Sequence, residues 1–327
     1  MNTASVSVII PSAGNPTTLQ SCLESLARVM DDGMEVVVAL DGVSGASSDG
    51  IERLRHREDW PWPLRWTRLD SPRGPGAARN RGASEARGHD LIFLDDDMTV
   101  ERDFISSHLE LLAQNPNAAV VGAILTRCIG YRGAYRDSVE RFWEKRHHRL
   151  MRESKVDFWD CFTGNLSIEA ETFRRTGGFD ESMPACEDLE FGLRLTRAAA
   201  HLVYGSRAAT VQHSGKGPSR MIHDCEARGA ALVRLWRSYP EARATIGFVR
   251  PEVRLLQKLA LGFPLRCESL AVMLPWLPAG RWTDRLCAFM CEVAQNRAAR
   301  REFADESLWS TLTERCQNKH PTQSLRW

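Results

Sequence analysis

The N-terminal part of the chain alternates between short apolar segments and segments whose apolar residues recur at helical spacing. The apolar segments predict strands at 6–10, 34–40, 64–70, 91–97 and 117–125. The segments between them predict helices at 17–30, 51–58, 76–88 and 101–116. Thr17 or Thr18 is the expected N-cap of the first helix. Strands that alternate with helices through short loops form an α/β domain with a mainly parallel sheet.

Three polar loops follow strands of this predicted sheet, at 12–15, 41–45 and 95–98. In open α/β sheets ligands bind outside the carboxyl ends of the strands, so we expect these loops to contribute to one ligand site. Beyond about residue 150 the alternation loosens. Residues 185–200 predict a helix with acids at its start, and residues 202–217 predict two short strands followed by a glycine loop.

The bulk composition argues against several classes of protein. With 327 residues, 43% of them hydrophobic and 26% charged, the chain is long enough for one large domain with an appendage. Its formal net charge of +1 gives no general attraction to nucleic acid, so no nucleic-acid partner is expected. Nine cysteines without a CxxC pair, and a start without a secretory signal, predict reduced thiols in a cytoplasmic protein.

Asp95, Asp96 and Asp97 follow an apolar segment that is predicted to be a central strand. Three adjacent carboxylates repel one another unless a cation or hydrogen bonds compensate their charge. One interpretation is a solvated turn in which an aspartate caps the next helix. The other is a site for Mg²⁺ or Mn²⁺, because these ions bind a few carboxylates together with waters and phosphate oxygens. The position at a strand end favours the metal site, with a diphosphate held by the ion.

Six pieces of sequence occur in a consistent order: SVIIPSAGN, VVVALDG, GPGAARNRG, LIFLDDD, TGNLSI with GGFDE, and CEDLEFGLRL. Together they resemble the family 2 glycosyltransferases with the GT-A fold, over roughly residues 5–215. The resemblance implies a Rossmann-like, mainly parallel sheet flanked by helices. We expect a GT-A domain at 1–217 and a helical C-terminal extension at 218–327.

The resemblance also assigns residues to a nucleoside-diphosphate sugar donor, most commonly a UDP-sugar. Asp95 and Asp97 correspond to the outer acids of the family's DxD motif and, with His213, are expected to hold Mn²⁺ or Mg²⁺. The residues expected to contact the donor are Pro11, Ser12, Ala13, Asn15, Asp41, Arg79, Asp95, Asp96, Gly164, Asn165 and Lys216. Three assignments have a purely structural alternative: a β-turn at Asp41, a solvent-facing helix at Arg79 and a loop histidine at His213.

An inverting transfer needs a base on the side of the sugar opposite the leaving group. In the resemblance a Glu-Asp pair that opens a helix supplies it, which makes Asp188 the expected base and Glu187 the residue that orients Asp188 or the acceptor. The alternative is that both acids only stabilise the helix dipole. The acceptor implied by the family is a hydroxyl of a glycan, a lipid-linked intermediate or a small molecule.

Residues 219–327 are helical in pattern, basic and rich in tryptophan. We expect them to pack on the catalytic domain or to form a homodimer contact. The alternative is a peripheral contact with the inner face of the membrane, where a lipid-linked acceptor would be found.

Two other functions stay open from the sequence. A nucleotidyltransferase would carry a basic, glycine-rich loop after the first strand, and SAGNPTT lacks the basic residue. A non-catalytic binding protein of the same fold would not need to retain acids at Asp41, Asp95, Asp97 and Asp188 together.

Overall fold

The computed structural model of the protein describes residues 5–42, 46–153, 156–246 and 271–303. Some of the predictions concern residues outside these ranges. They are residues 43–45 of the second polar loop, and residues 247–270 and 304–327 of the helical extension.

The structure contains strands and helices throughout the described ranges. The strands are β1 (Val6–Ser12), β2 (Met34–Asp41), β3 (Leu64–Leu69), β4 (Asp90–Leu94), β5 (Met98–Val100), β6 (Ala118–Cys128), β7 (Asn165–Glu169) and β8 (His201–Ser214). The α-helices are α1 (Pro16–Leu26), α2 (Ala46–Arg55), α3 (Pro75–Glu85), α4 (Phe104–Gln114), α5 (Gly133–Arg152), α6 (Ala170–Thr176), α7 (Glu187–Arg197), α8 (Pro218–Ser238) and α9 (Arg281–Phe303). Short 3₁₀ turns lie at Phe158–Asp160, Pro240–Ala244 and Leu274–Trp276.

The strands form one eight-stranded sheet in the order β3-β2-β1-β4-β7-β6-β8-β5. The half built from β3, β2, β1 and β4 is parallel, as the alternation of strands and helices predicted. β7 pairs antiparallel with both β4 and β6, and β5 pairs antiparallel with β8. The α/β fold is confirmed. The sheet is mixed because its second half contains the antiparallel pairs of β7 and β5.

The parallel strands are apolar along their length because helices cover both faces of the sheet. On one face Val8, Val36 and Ile92 belong to a core that includes Leu19 and Leu23 of α1. The residues that alternate with them point to the opposite face. There Ile9, Phe93 and Leu166 pack with aromatic residues of α6 and α7, among them Phe173 and Phe191. This two-sided burial fixes the register of β1 and β4, and with it the position of the loops that follow them.

Three local features differ from the sequence predictions. Asn15, not a threonine, is the N-cap of α1: its side chain accepts hydrogen bonds from the amides of Thr17 (3.1 Å) and Thr18 (3.4 Å), and Pro16 occupies the first helical turn. β5 was not predicted. The two short strands predicted within residues 202–217 are one strand, β8. Gly205 of β8 lets α4 approach closely, because a Cβ there would lie 3.0 Å from Leu111 Cδ1.

The chain divides into two compact units that alternate along the sequence. The first comprises Met1–Arg127, Trp143–Met183 and Glu187–Ser214 and contains nearly all of the sheet. The second comprises Cys128–Phe142, Pro184–Cys186 and Gly215–Trp327. The boundary predicted between residues 217 and 218 stays a prediction.

Helices α8 and α9 of the second unit pack closely along their length. A Cβ at Gly229 of α8 would lie 2.0 Å from the carbonyl oxygen of Gln295 in α9, so only glycine allows this backbone approach. The rings of Trp236 and Phe303 meet edge to face, 5.6 Å apart. Across the described ranges, no helix is both long and apolar enough to cross a bilayer.

Candidate active site

Ser12 and Asp96 join the ends of two neighbouring parallel strands, β1 and β4. The Ser12 hydroxyl donates to Asp96 Oδ2 at 2.5 Å and accepts a hydrogen bond from the amide of Gly14 at 3.1 Å. Burial raises the pKa of Asp96 to about 6; the Ser12 hydrogen bond works against this rise and the charge of Asp95 adds to it. The two polar loops at 12–15 and 95–98 therefore meet, as expected of the carboxyl ends of adjacent strands.

Arg79 connects two carboxylates that come from distant parts of the chain. From α3 its Nη2 donates to Asp95 Oδ1 at 2.7 Å, and its Nη1 donates to Glu187 Oε1 at 2.9 Å. The Arg79 side chain is only 4% exposed. Burial alone would lower the pKa of Arg79, but the charges of Asp95 and Glu187 raise it overall. Arg79 is thus a buried, permanently charged bridge between the β4 end and the start of α7, and not a solvent-facing helix residue.

Asp188 lies beside this bridge in the first turn of α7. Its Oδ1 accepts a hydrogen bond from the amide of Leu189 at 2.8 Å. The charge of Asp188 also contributes to the raised pKa of Arg79 and, after the larger effect of burial, to the raised pKa of the Cys161 thiol. The structure therefore brings Asp95, Glu187 and Asp188 together around one guanidinium.

Asp97 and His213 are neighbours through the backbone. The amide of His213 donates to the carbonyl of Asp97 at 2.7 Å, and Gln212 Nε2 donates to Asp97 Oδ2 at 3.1 Å. The imidazole of His213 itself is hydrogen bonded through Nε2 to Thr99 Oγ1 at 2.9 Å. His213 is thus not a loop histidine, because it lies within β8, where the β5–β8 pairing places it.

The residues proposed for a metal ion do not form a closed cage. In the described part of the chain, no group of three or more His, Cys, Asp or Glu side chains is arranged to hold a metal ion. The donor set nevertheless fits Mn²⁺ or Mg²⁺, because these ions combine one or two carboxylates with the oxygens of a bound diphosphate. While Asp95 Oδ1 bonds Arg79, Asp95 Oδ2 faces Gly164, where a Cβ would lie 2.6 Å away. Only glycine at 164 permits this placement of the carboxylate.

Asp41 organises the loop that leads into α3. Its two carboxylate oxygens accept hydrogen bonds from the backbone amides of Arg73 (2.7 Å) and Gly74 (2.9 Å). The adjacent Gly42 has a φ of +65°, and a Cβ there would lie 2.3 Å from the backbone nitrogen of Pro72. The Asp-Gly pair thus holds the β3–α3 loop against the end of β2, which is more than the local β-turn considered from the sequence.

The donor contacts expected of Pro11, Ala13 and Lys216 stay predictions. Pro11 is buried within β1, and Ala13 is exposed. Lys216 belongs to the second unit, where its Nζ pairs with Asp224 at 3.1 Å and its carbonyl accepts from Tyr135 Oη at 2.6 Å.

Asn165 lies in the core rather than at the surface of the strand ends. Its side chain is fully buried; Nδ2 donates to the carbonyls of Ala123 (3.0 Å) and Ala208 (2.9 Å). Its Oδ1 is 2.8 Å from Nε2 of His108, whose Nδ1 is 2.8 Å from Ser167 Oγ. With both ends of the amide engaged inside the protein, the side chain holds β6, β7 and β8 together. The donor contact that the resemblance suggested for Asn165 stays a prediction, and the side chain makes these internal hydrogen bonds instead of facing a loop.

Two residues beside the site were missed or misplaced from the sequence. Asn80 holds the glycine loop before α7: its Oδ1 accepts from the amide of Phe179 at 2.8 Å, and its Nδ2 donates to the carbonyl of Phe179 at 2.9 Å. The resemblance implies that Asn80, in the segment GPGAARNRG, braces the end of the sheet, whereas the structure places its side chain against this loop. Gln212, which contacts Asp97, was not among the predicted site residues. Its position directly before His213 in a predicted strand was the available signal.

Comparisons with known proteins agree with this geometry. The profile of the family described as "Glycosyl transferase family 2" matches residues 7–175, just over half of the chain. The uncharacterized glycosyltransferase YfnE of Bacillus subtilis is 32% identical over 145 residues, which are 44% of this chain and 34% of that protein. The chain spans 34%, 64% and 40% of the lengths of the first three curated relatives.

Solved structures with low sequence identity share the fold. The mannosyltransferase PcManGT from Pyrobaculum calidifontis, in complex with GDP-Man and Mn²⁺, is 16% identical with a TM-score of 0.62, covering 91% of this chain and 87% of that one. TarS of S. aureus in complex with UDP is 15% identical with a TM-score of 0.50, covering 91% of each chain. The sheet topology and the acids at the strand ends agree with the matched profile, which covers more than half of the chain, and the chain therefore belongs to glycosyl transferase family 2.

Proposed function

We propose that this protein transfers a sugar, with inversion, from a nucleoside-diphosphate sugar to a hydroxyl group of an acceptor, with help from a divalent metal ion. The observation that carries the proposal is the Arg79 bridge. It holds an acid of the strand-end cluster, Asp95, and an acid of the α7 start, Glu187, on the two sides of one guanidinium. Donor-side and acceptor-side chemistry need such groups at a fixed separation.

The donor side would be formed by the ends of β1, β2 and β4. Asp97 and Asp95 would hold Mn²⁺ or Mg²⁺, since hard carboxylate oxygens suit both ions. A bound divalent ion neutralises charge that develops on the departing diphosphate. The fold neighbours were solved with GDP-Man and Mn²⁺ and with UDP, which supports a nucleotide-sugar donor. The resemblance favours UDP.

The acceptor side would use Asp188 as the base. One oxygen of Glu187 already accepts a hydrogen bond from Arg79, so Glu187 is suited to a fixed, orienting role. Asp188, the next residue, lies in the same helical turn and is only partly buried. Its carboxylate would accept the proton of the acceptor hydroxyl as the new glycosidic bond forms. A positioned general base contributes about 10²- to 10⁴-fold to a rate.

The test compares Asp97→Asn with Asp188→Asn, and uses Asp224→Asn in the second unit as the matched control. Thermal shifts would be measured with UDP and with GDP, each with Mn²⁺ and with EDTA, and turnover as release of nucleoside diphosphate from the donor sugar. Asp97→Asn should lose the Mn²⁺-dependent shift. Asp188→Asn should keep that shift and lose about 10²- to 10⁴-fold in turnover.

Each part of the proposal has an outcome that contradicts it. No Mn²⁺-dependent shift of the unmodified protein with either nucleotide would contradict a metal-dependent nucleotide-sugar donor. Full turnover of Asp188→Asn would remove Asp188 as the base while leaving the donor site in place. Donor binding without any turnover of the unmodified protein would favour a non-catalytic binding protein.

A further inference from the structure

Most of the large apolar side chains that are exposed in the described ranges belong to the second unit, four of them within residues 272–282. Of the six large hydrophobic residues that are exposed in the described ranges, five belong to this unit. We call these five the tryptophan surface: Ile129, Val272, Met273, Trp276 and Trp282. Trp276 is 87% exposed and Trp282 is 67% exposed. Single exposed apolar residues are ordinary, whereas two largely exposed tryptophans in one short segment make that segment a candidate interaction surface.

The segment that carries these tryptophans is anchored to the rest of its unit. Leu274, in the same 3₁₀ turn as Trp276, is fully buried. The carbonyl of Leu277 accepts a hydrogen bond from the amide of Ala134 at 3.1 Å. Gly133 has a φ of +61°, and a Cβ there would lie 2.3 Å from the carbonyl oxygen of Pro275. The loop that follows Ile129 and the Trp276 segment are therefore held backbone to backbone.

The start of α9 is equally well fixed. The Thr283 hydroxyl accepts a hydrogen bond from the amide of Gly280 at 3.0 Å and is itself buried. This contact closes the turn that presents Trp282 at the first turn of α9. The two tryptophans are thus displayed by an ordered scaffold, so their exposure is a property of the folded unit.

The charge around the tryptophan surface is basic. Arg132, Arg281 and Arg285 are exposed beside it. The acid within this stretch, Asp284, is turned inward: Arg141 Nη2 and Ser138 Oγ each donate to its Oδ1 at 2.6 Å. Asp284 is the acidic residue of the segment 271–285. The guanidinium groups of the arginines are exposed, and the charge of Asp284 is compensated by Arg141. The tryptophan surface should therefore attract anions.

We propose that the tryptophan surface binds the interface of a bilayer that contains anionic lipid. Tryptophan prefers this interface because its ring is apolar and its N–H needs a polar partner. Arginines beside it would contact lipid phosphates. A tryptophan ring and an arginine side chain at the bilayer interface make a peripheral contact, in which apolar groups enter the headgroup region and charged groups meet lipid phosphates. The surface does not involve the residues of the proposed active site, and its test reads out separately from sugar transfer.

The test is co-sedimentation of the full-length protein with large unilamellar vesicles. Vesicles of phosphatidylcholine with half phosphatidylglycerol are compared with vesicles of phosphatidylcholine alone, at low and at high salt. The variants are Trp276→Ala with Trp282→Ala, and Arg281→Glu with Arg285→Glu. Met151→Ala is the matched control, because Met151 is 59% exposed and belongs to the first unit. Light scattering gives the molar mass of each variant, and a cooperative thermal unfolding transition without ligand confirms that each is folded.

The proposal expects binding to the anionic vesicles that weakens with salt. The double tryptophan variant should bind about tenfold more weakly or worse, and the charge-reversal variant should lose about fivefold for each arginine. Met151→Ala should bind as the unmodified protein does. Absence of vesicle binding would overturn the proposal. So would a dimer that dissociates when the tryptophans are replaced, because the surface would then join two copies of this chain.

Discussion

Arg79 and Glu187 are 108 residues apart in the chain, yet their side chains form a 2.9 Å ion pair in which the arginine is almost completely buried. The second guanidinium nitrogen of Arg79 donates to Asp95. A buried charge is tolerated only when partners surround it, and here the partners are two acids of the proposed active site. Arg79 therefore sets the distance between Asp95 and Glu187, the acids that we propose for the donor side and the acceptor side.

Replacing Arg79 by lysine should lower turnover by about ten- to a hundredfold. A single ammonium cannot reproduce the forked geometry that serves both carboxylates, and a hydrogen bond to a charged group is worth about 1.5–3 kcal/mol. Turnover would be measured together with the thermal midpoint. Arg81→Lys on the same helix is the matched control, since Arg81 is substantially exposed and contacts Glu85 and Thr67. Equal turnover of the two variants would show that the bridge has no part in the reaction.

Part of this arrangement could be predicted from the sequence. The alternation of strands and helices predicted the parallel half of the sheet, and the loops at 12–15 and 95–98 were expected at one ligand site, where the structure joins Ser12 to Asp96. The order of motifs indicated the family. These inferences depend on hydrophobic periodicity and short motifs, which can be recognised within a few residues of sequence.

The rest depends on contacts that no local pattern contains. An arginine on a helix normally faces water, and Arg79 is buried only because acids from β4 and α7 converge on it. Asn165 resembles a loop residue in its motif, but neighbouring strands enclose it, and a buried amide is stable only with its hydrogen bonds made. The antiparallel β7 is likewise fixed by long-range pairing.

Replacing Gly164 by alanine should displace the carboxylate of Asp95. A Cβ at 164 would lie 2.6 Å from Asp95 Oδ2 and 2.9 Å from the terminal carbon of Met98, closer than atoms in van der Waals contact. We expect Mn²⁺-dependent nucleotide binding to weaken by about tenfold or more, the equivalent of roughly 1.4 kcal/mol. Gly215→Ala is the control, because no heavy atom lies within 4 Å of a Cβ there. Unchanged nucleotide affinity in Gly164→Ala would mean that the Asp95 position does not matter for the donor.

Replacing Asp41 by alanine should destabilise the protein even without a ligand. Both oxygens of its carboxylate bond backbone amides at the start of α3, and leaving such donors unpaired costs about 1–3 kcal/mol. Asp41→Asn retains one acceptor and should lose less. Urea unfolding measures the effect, with the exposed Asp31→Ala as control. If Asp41→Ala keeps its stability and loses only nucleotide affinity, the role of Asp41 is confined to the nucleotide.

Stability should fall as the solution is acidified from pH 7 to pH 5, through His108. Burial lowers the pKa of His108 to about 4, although its hydrogen bond to Asn165 partly opposes this. The unfolded chain takes up a proton near pH 6.5, before the folded protein does, so the stabilisation is complete above pH 6.5 and is lost as the pH falls toward 4. The loss is about 2 kcal/mol between pH 7 and pH 5. Urea unfolding at both pH values gives the loss of stability, which the raised pKa of Asp96 partly offsets in every variant, for the unmodified protein and for His56→Gln, whose side chain is 81% exposed. The loss of stability between pH 7 and pH 5 should be smaller in His108→Gln by about 2 kcal/mol. An identical pH dependence in all three proteins would show that His108 is protonated as readily in the folded protein as in the unfolded chain.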